Sequence, residues 1–310
     1  MFITVVPNPA LDKTVVLPGF APGKIHRANE LITLAGGKGF NFARALRTLG
    51  ENGLILGPAG GFAGQQLLAL ATREGLQVEL QEVTAELRTC LTIVDPKDNY
   101  RLTEIYERGA PLTVEEWASL VHKVNSALPQ AHFMAVCGSF PPGVPEDSLA
   151  MLLRAAQNNS VPVLLDAHGP QLTEALIYAP ELLKINQFEA GELLGSKVSD
   201  PSQALEAAGE LRQRGARAVV ISLGKTGVVG CARDGQRFGW SAPTVPALCA
   251  TGSGDSLLAG IAAGLLRGQE LQEAARLGVA AGAANTLILG AGRLHLADVE
   301  RLLPFVQALL

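Results

Sequence analysis

The sequence predicts an α/β fold in which a mostly parallel β-sheet is covered by helices on both faces. Short apolar runs rich in β-branched residues alternate with stretches in which apolar residues recur at helical spacing. Turns rich in Gly, Pro and Asp separate them, a pattern typical of parallel sheets with helical crossovers. The 310 residues, 48% of them hydrophobic, suffice for one large core. The predicted strands are 2–6, 53–56, 133–137, 161–166, 182–185 and 218–222, and the predicted helices are 41–49, 64–74, 114–127, 147–157, 171–178, 189–194 and 203–214.

Two segments interrupt this alternation and predict a second, smaller sheet. Residues 13–34, which follow the first strand, carry apolar residues without a helical period. Residues 88–107 indicate a hairpin around the turn 95–99. Both segments alternate polar and apolar side chains, so we expect a small antiparallel sheet that stands off the main domain as a lid. The alternative is that they form edge strands of the main sheet.

The segment after the strand 218–222 resembles a phosphate-binding P-loop only superficially. Its Gly-Lys-Thr at residues 224–226 lacks the first glycine of that motif, because Val219 holds the corresponding position. Residues 228–231, which follow, have the composition of a strand, whereas a P-loop precedes a helix. We therefore expect two strands joined by a glycine-rich turn that approaches a nucleotide closely.

Composition excludes several classes of function. The formal net charge of −4 and the aromatic content of 5% give no support for nucleic-acid binding. No uncharged apolar run reaches the ~20 residues that span a bilayer, and no N-terminal signal is present, so we expect a cytoplasmic protein without membrane contact. The four cysteines form no CxxC pair, which indicates reduced thiols, and the five histidines form no metal-binding motif.

A glycine-rich turn at residues 250–256 is the most informative feature of the chain. It reads ATGSGDS and leads into an apolar segment, rich in Ala and Gly, with helical spacing. Unpaired backbone N–H groups at the start of a helix form an anion-binding site. Asp255 lies inside this site, which makes sense if the anion is a phosphoryl group and Asp255 takes the proton of the attacking hydroxyl. The alternative is that Ser253 or Asp255 simply caps the helix.

A second glycine cluster, AGGKGFN at residues 35–41, opens an early helix. Gly36, Gly37 and Gly39 let the backbone approach a ligand, and Asn41 offers a donor and an acceptor suited to sugar hydroxyls. The alternative is that Asn41 is the N-cap of this helix. Upstream, Asp12 follows the first strand, where a carboxylate could accept hydrogen bonds from vicinal hydroxyls or form an Asx-turn.

These motifs together resemble the PfkB (ribokinase-like) family of carbohydrate kinases. They are NPALD at residues 8–12, GGKGFN at 36–41 and TGSGD at 251–255, and the resemblance covers nearly the whole chain. With GSFPPG at 138–143, the chain looks most like the branch of 1-phosphofructokinases and tagatose-6-phosphate kinases. The resemblance implies one ribokinase-like domain over residues 1–310: a three-layer sandwich with a mostly parallel central sheet and a small antiparallel lid. It also implies ATP as phosphoryl donor and Mg2+ as cofactor.

The resemblance further implies roles for individual residues. Asp255 would be the catalytic base. Lys24, Arg88 and Ser139 would bind the phosphate that the substrate already carries, and Lys184 would lie by the phosphates of the nucleotide. A monovalent cation stays uncertain, because Cys249 and Ala250 stand where a polar or acidic residue often helps to bind one. The implied residues are, for catalysis, Asp255 with the backbone of Gly252, Ser253 and Gly254; for the sugar phosphate, Asp12, Lys24, Gly37, Lys38, Gly39, Asn41, Arg88 and Ser139; for the nucleotide, Lys184, Asn186, Ser222, Gly224, Gly227 and Asn285; and for magnesium, Glu189 and, through water, Asn186.

The function that we expect is ATP-dependent phosphorylation of a ketohexose phosphate, with fructose 1-phosphate as the best single substrate. Tagatose 6-phosphate and fructose 6-phosphate are close alternatives, because the two ends of a furanose diphosphate are similar in shape. A kinase of an unphosphorylated sugar or nucleoside is a more distant alternative. A non-catalytic sugar-phosphate sensor on the same fold is another, since fold alone does not fix function. An exposed lid edge would also allow dimerisation.

Overall fold

The computed structural model describes residues 1–167, 169 and 171–309, so His168 lies outside the described residues. Their strands form two separate sheets, and helices pack on the larger one. The strands are β1 (Phe2–Val5), β2 (Ala10–Val16), β3 (Glu30–Gly36), β4 (Gly53–Ala59), β5 (Gln77–Glu82), β6 (Thr89–Asp95), β7 (Arg101–Tyr106), β8 (Phe133–Cys137), β9 (Val163–Asp166), β10 (Leu182–Asn186), β11 (Val219–Ser222), β12 (Gly227–Cys231) and β13 (Arg237–Ser241). The helices are α1 (Lys38–Thr48), α2 (Gly61–Arg73), α3 (Val114–Ala127), α4 (Ser148–Asn158), α5 (Gln171–Ala175), α6 (Gln187–Leu194), α7 (Pro201–Gln213), α8 (Ser253–Leu266), α9 (Leu271–Asn285) and α10 (Leu296–Leu302).

The large sheet has the strand order β13-β12-β11-β10-β9-β8-β1-β4-β5. Every pair from β11 to β5 is parallel, and β12 and β13 are added antiparallel at one edge. This confirms the predicted mostly parallel sheet and the predicted turn between two strands at residues 224–226. The prediction missed β5 and β13, which lie at the two edges, where partial exposure replaces the continuous apolar run by a mixed one.

Two hydrophobic cores lie on opposite faces of the large sheet. Successive side chains of a strand point to opposite faces, so Phe2 of β1 packs with Phe40 and Phe42 of α1, whereas Ile3 packs with Trp117 of α3. Helices α1, α2, α8, α9 and α10 cover the first face, and α3, α4, α5 and α7 cover the second. The three layers predicted from the resemblance are therefore present.

The small sheet has the strand order β3-β2-β6-β7. Its strands correspond to the segments 13–34 and 88–107, which were predicted to pair apart from the main sheet, although β2 already begins at Ala10. Each hairpin is antiparallel as predicted, but β2 and β6 are parallel, which corrects the expectation of a wholly antiparallel sheet. The reason is the connection: two helices and two strands of the main domain separate the hairpins, which therefore enter the sheet in the same direction.

Small residues let α8 and α9 pack closely beneath the large sheet. A Cβ atom on Gly260 of α8 would lie only 2.5 Å from the Cα atom of Gly278 on α9. Helix α8 begins at Ser253, so the glycine-rich turn forms the first turn of the helix as well as the loop before it. Within the described residues, the four cysteines are buried and free. No helix in the described part of the chain combines the length and apolarity that crossing a membrane requires.

Candidate active site

Asp255 lies in the first turn of α8, where backbone N–H groups have no partner within the helix. The helix begins after Gly252, whose positive φ of 83° reverses the chain, and no side chain caps it. The simple capping role for Ser253 or Asp255 is therefore wrong. Only 7% of Asp255 is exposed. Burying a carboxylate costs free energy, so its position inside the protein indicates a chemical role.

Burial raises the pKa of Asp255 to about 6. The negative charge of Asp166 adds to this increase, whereas Lys38, Lys184 and a hydrogen bond from Asn41 oppose it. A carboxylate with this pKa is ionised at neutral pH and is a stronger base than an ordinary aspartate. It therefore has the property that a general base needs.

Asn41, from the early glycine cluster, lies between Asp255 and Asp12. Gly37 is the N-cap of α1, so Asn41 lies within the first turn and the expectation that it caps the helix is wrong. Its Nδ2 atom donates to Oδ2 of Asp255 at 2.9 Å. Asp12 of β2 accepts a hydrogen bond from the backbone N–H of Gly37 at 3.2 Å, and burial raises its pKa. Two glycine-rich turns that are far apart in the sequence thus form one polar site.

The glycines of the early cluster make room for the protein's own side chains. A Cβ atom on Gly36 would overlap the carboxylate of Asp12, and one on Gly39 would overlap the side chain of Val6. Gly37 has a φ of 91°, which disfavours other residues. These glycines set the approach of α1 to the strands and so help to fix the positions of Asp12 and Asn41.

Asp166, which the sequence did not single out, holds two lysines in the site. Its Oδ1 atom lies 2.8 Å from Nζ of Lys38, and its Oδ2 atom lies 2.7 Å from Nζ of Lys184. Burial favours the neutral acid, but the two ammonium groups outweigh it and lower the pKa of Asp166 to about 2. Asp166 is the last residue of strand β9. Ligands bind at the carboxyl ends of parallel strands, and this position is the signal that could have identified Asp166 as a site residue.

Lys184 reaches the start of α8. A Cβ atom on Gly254 would lie 2.9 Å from the Nζ atom of Lys184, so the missing side chain at this position leaves space for the ammonium group. The backbone of Ser253 and Gly254 and this lysine together make the start of the helix electropositive. This arrangement can bind the oxygens of a phosphoryl group.

Asn186 and Glu189 form a capping box at the start of α6. Oδ1 of Asn186 accepts from the backbone N–H groups of Phe188 and Glu189, and Oε2 of Glu189 accepts from that of Asn186. The second carboxylate oxygen of Glu189, Oε1, lies 3.8 Å from Nζ of Lys38. Glu189 therefore has the structural role that helix capping predicts, and it still presents one oxygen towards the lysines of the site.

The donors present fit Mg2+ better than a metal that needs an all-protein cage. Among the described residues, no three His, Cys, Asp or Glu side chains are grouped as metal ligands. Mg2+ usually keeps several waters and binds one or two carboxylates together with substrate phosphates. The free oxygen of Glu189, beside an electropositive site for phosphates, matches that chemistry.

A cavity of about 560 Å3 opens beside the start of α8. Ser222, Gly224 and Gly227, which were expected to contact a nucleotide, line one side of it together. Its volume is in the range of small-molecule sites, and its end at Ser253 and Gly254 adjoins Lys184. Further residues that line it are Val228, Val245, Ala250, Leu257, Val279, Gly282, Ala283 and Thr286.

Asn285, which was expected to contact the nucleotide, lies behind the glycine turn and is not among the residues that line the cavity. It is fully buried, and its Nδ2 atom donates to the carbonyl of Thr251 at 3.0 Å and to the hydroxyl of Ser253 at 3.2 Å. Its Oδ1 atom accepts from the hydroxyl of Ser256 at 3.1 Å. Its side chain therefore shapes the turn, whereas the neighbouring Gly282 and Thr286 line the cavity.

Arg88 and Ser139 meet around Asn8, at the other end of the site. Nη2 of Arg88 donates to the carbonyl of Asn8 at 2.9 Å, and Nδ2 of Asn8 donates to Oγ of Ser139 at 3.2 Å. The Arg88 charge also acts on Asp12. Lys24 is not part of this group, because it lies in the exposed loop beyond Val16, at the opposite end of β2 from the site.

The chain is similar in sequence to carbohydrate kinases. The model of the pfkB family carbohydrate kinases matches residues 8–295. The chain is 34% identical over 300 residues to the ATP-dependent 6-phosphofructokinase isozyme 2 of Mycobacterium tuberculosis, covering 96% of this chain and 88% of the relative. It is 33% identical over 307 residues to a 1-phosphofructokinase of Xanthomonas campestris, covering 97% and 93%.

Among solved structures, phosphofructokinase-2 from Escherichia coli in complex with substrates and products superimposes with a TM-score of 0.91. The two sequences are 30% identical, and the match covers 98% of this chain and 99% of the other. The same Escherichia coli protein in complex with potassium matches with a TM-score of 0.90, 29% identity and 98% coverage of both chains.

Proposed function

The chain belongs to the pfkB family of carbohydrate kinases, and from this membership we propose that it transfers the γ-phosphoryl group of ATP to a hydroxyl of a fructose phosphate. Relatives named for 1-phosphofructokinase and for ATP-dependent 6-phosphofructokinase activity both support a phosphorylated ketohexose as acceptor. The structural observation that carries the proposal is the buried carboxylate of Asp255, which lies at an electropositive helix start beside a cavity of about 560 Å3.

In the proposed reaction, Asp255 takes the proton of the sugar hydroxyl as its oxygen attacks the γ-phosphorus of ATP. A bond forms between that oxygen and phosphorus, the bond from phosphorus to the β–γ bridging oxygen breaks, and ADP leaves. The backbone N–H groups at the start of α8 stabilise the charge on the transferred group, and Lys184 supports them. Asn41 holds Asp255 by a hydrogen bond, and Lys38 is held in the site by its ion pair with Asp166.

The sugar phosphate would bind beside Asp255, Asn41 and Asp12. We assign Asp12 and Asn41 to sugar hydroxyls, because Asn41 is hydrogen-bonded to Asp255 and acts on the carboxylate of Asp12. Arg88 and Ser139 would bind the phosphate that the sugar already carries, at the end near Asn8. The small sheet, which supplies Asp12, would act as a lid that keeps water from the activated phosphate.

We propose that Glu189, with Asn186 acting through water, holds Mg2+ beside the nucleotide phosphates. When bound, the ion neutralises phosphate charge. The protein's own contribution is to present the free oxygen of Glu189 near Lys38 and to fix that side chain by the capping box. Lys184 and Lys38 then complete the electropositive surface around the phosphates.

Among fructose phosphates, we propose fructose 1-phosphate as the substrate, with its 6-hydroxyl as acceptor. The NPALD and GSFPPG segments at residues 8–12 and 138–143 support this choice, because they carry the resemblance to the 1-phosphofructokinase branch. They also supply Asn8 and Ser139 to the predicted phosphate end. Fructose 6-phosphate and tagatose 6-phosphate, phosphorylated at the 1-hydroxyl, are the alternatives.

The test is an ADP-release assay with ATP, Mg2+ and a panel of fructose 1-phosphate, fructose 6-phosphate, tagatose 6-phosphate and the two free sugars. Each reaction is run with potassium and with sodium, which decides the cation dependence. We expect the highest kcat/KM with fructose 1-phosphate. Turnover only of a free sugar would contradict the proposal, and tight sugar-phosphate binding without ADP release would support the non-catalytic alternative.

The Arg88→Ala variant separates phosphorylated from unphosphorylated acceptors. Loss of a buried phosphate partner costs about 2–5 kcal/mol, so we expect KM for the sugar phosphate to increase at least ~30-fold with little effect on KM for ATP. Arg101→Ala is the matched control, because Arg101 is exposed on β7 and its ion pair is with the neighbouring Asp98. Equal effects of the two substitutions would remove the role assigned to Arg88.

We also propose that two copies of the chain associate through the small sheet. Its edge strands β3 and β7 have no further strand beside them in the described structure, and Leu31 and Ile105 on them are more than half exposed. Unpaired strand edges and exposed apolar side chains favour association. Sedimentation velocity of Leu31→Lys and of the wild type tests this: a wild-type monomer would contradict it.

A further inference from the structure

Arg44 is a buried residue outside the roles described so far, one turn after Asn41 on the same face of α1. Only 7% of it is exposed. Nε and Nη2 form an ion pair with the carboxylate of Glu74, and Nη2 also donates to the carbonyl of Ala35. Nη1 donates to Oδ1 of Asn41 at 3.1 Å and to the carbonyl of Ala291 at 2.9 Å. All five N–H groups of the guanidinium therefore have an acceptor.

This contact fixes which way the amide of Asn41 points. A guanidinium has donors and no acceptor, so the group that faces Arg44 must be the amide oxygen. The NH2 group of Asn41 must then face Asp255, where Nδ2 lies 2.9 Å from Oδ2. The same amide also lowers the pKa of Asp12 by a side-chain hydrogen bond. The opposite orientation would place the amide oxygen against two carboxylates.

We propose that Arg44 is a positioning residue for the transfer reaction: it locks the amide of Asn41 so that an N–H group always faces the carboxylate of Asp255. The inference rests on the proposed function of Asp255 as general base. Arg44 has no contact with the reacting atoms and acts through Asn41. Without Arg44, the amide oxygen of Asn41 loses the donor that holds it, so the side chain moves and the hydrogen bond to the base is lost for part of the time.

The consequence is a change in the ionisation of Asp255. The groups that face this carboxylate are Asp166, Lys38 and Lys184 from the large sheet and α1, and Asn41, which separates it from Asp12. The lysines and Asp166 hold one another, so a change at Arg44 leaves them in place. Loss of the Asn41 hydrogen bond removes one interaction that favours the charged form, and the pKa of Asp255 must increase.

Two single variants separate positioning from folding. Arg44→Lys keeps the charge beside Glu74, but an ammonium group cannot make the planar set of five contacts. Glu74→Gln is the matched control, because it breaks the same ion pair and leaves the Arg44–Asn41 contact. We expect both variants to unfold at a lower temperature than the wild type, and only Arg44→Lys to change the titration of Asp255.

The first measurement is the pH dependence of kcat at saturating substrates, since the free sugar phosphate itself titrates near a pKa of about 6. For Arg44→Lys, we expect the acidic limb to move to higher pH by up to about 1–2 units, the size of one hydrogen bond to a carboxylate. For Glu74→Gln, the limb stays at the wild-type position. An unchanged limb in Arg44→Lys, with only a lower melting temperature, overturns the inference.

The second measurement needs no turnover. Aspartate carboxyl carbons are labelled with 13C, the Asp255 signal is assigned with the Asp255→Asn variant, and the free protein is titrated. The same upward shift is expected for Arg44→Lys and for Asn41→Ser, which leaves the Arg44–Glu74 pair intact and serves if Arg44→Lys does not fold. In the double variant, Arg44→Lys must add no further shift to that of Asn41→Ser.

These outcomes keep the inference and the proposed function apart. A wild type that phosphorylates no sugar phosphate while the 13C shift is present contradicts the proposed function alone. Normal turnover with no shift, or additive shifts in the double variant, contradicts the role of Arg44 alone.

Discussion

The hydroxyl of Thr251 donates a hydrogen bond to Oε1 of Glu104 at 3.1 Å and so joins the glycine turn before α8 to strand β7 of the small sheet. The same carboxylate oxygen accepts a hydrogen bond from the hydroxyl of Tyr106 at 2.6 Å. The two residues are 147 positions apart in the sequence. Through this contact, the sheet that carries Asp12 is fastened directly to the turn that carries Asp255.

Glu104→Gln should weaken the attachment of the small sheet. One hydrogen bond to a charged group contributes about 1.5–3 kcal/mol at most, and less at an exposed site, so we expect KM for the sugar phosphate to rise about 3–10-fold. Hydrolysis of ATP in place of transfer should also increase, because water enters a less tightly closed site. Steady-state kinetics and ADP release without sugar measure both effects. The control is Glu30→Gln, which removes an exposed charge from β3 of the same sheet; an equal response there would exclude a specific link through Thr251.

Asp255→Asn should abolish most of the activity and leave the nucleotide site intact. Removing a general base lowers turnover by at least ~10²-fold, whereas the amide keeps the size of the side chain. We expect kcat to fall by that amount and the dissociation constant for ATP, measured by calorimetry, to change little. Near-normal turnover would falsify the assignment of Asp255 as the base.

The same variant should be more stable than the wild type at neutral pH. The pKa of Asp255 is raised from 3.8 to about 6 in the folded protein, so the wild type loses stability as pH increases through this interval. Above pH 6 the cost of the buried charge amounts to no more than about 3 kcal/mol. We expect a higher melting temperature for Asp255→Asn at pH 8 and equal melting temperatures near pH 4. A lower melting temperature at both values would mean that the charge stabilises the fold.

Asp166→Asn should show the opposite pH dependence. The pKa of Asp166 is lowered to about 2, so its stabilising effect is present above its unfolded value of 3.8 and is lost as pH falls towards 2. Removing one partner of a buried ion pair costs about 3–5 kcal/mol. We expect this loss at pH 7 in denaturant titrations and a much smaller one near pH 2.5. Asp147→Asn, which breaks a half-exposed pair with Arg154, is the control and should cost less than about 1 kcal/mol.

Gly254→Ala should separate activity from stability. Gly254 lies inside α8 with ordinary helical geometry, where Ala is favoured by about 1 kcal/mol, but the new methyl group would meet the ammonium of Lys184. We therefore expect an unchanged or higher melting temperature and a decrease in kcat of about 10–100-fold. Gly252→Ala is the contrast, because a φ of 83° and the nearby backbone of Gly292 make the substitution destabilising. Full activity in Gly254→Ala would show that Lys184 is not needed where the structure places it.

The sequence predicted the centre of the fold better than its edges. Strands such as β8 and β9 are covered on both faces, so each is a continuous apolar run with a turn at its end. The edge strands β5 and β13 are partly exposed and lack such a run. The parallel pairing of β2 with β6 could not be derived locally, because it depends on where the main sheet places two strands whose paired residues, such as Leu11 and Thr89, are 78 positions apart.

Within the candidate site, residues in or beside glycine-rich turns could be predicted from the sequence. Residues that reach the site only through the packing of the fold could not. Asp255, Asn41 and Asp12 lie in or beside glycine-rich segments, and the structure brings them together. Asp166 has no motif around it and is distinguished only by its position at the end of a predicted strand. Asn285 is the last residue of α9 and follows a run of Gly, Val and Ala over residues 278–284, so the sequence alone did not show which side chains line the cavity.

Strands β2 and β6 pair from Leu11 and Thr89 to Val16 and Val94, so the two hairpins form one continuous sheet. Asp12 is part of this sheet, and Arg88 directly precedes β6, so the same sheet would contact both ends of a bound sugar. Movement of this sheet away from the main domain would then release the hydroxyl end and the phosphate end of the sugar at the same time. Product release and exposure of the reaction centre to solvent would then occur together. The movement of the small sheet would therefore set how fast each turnover ends.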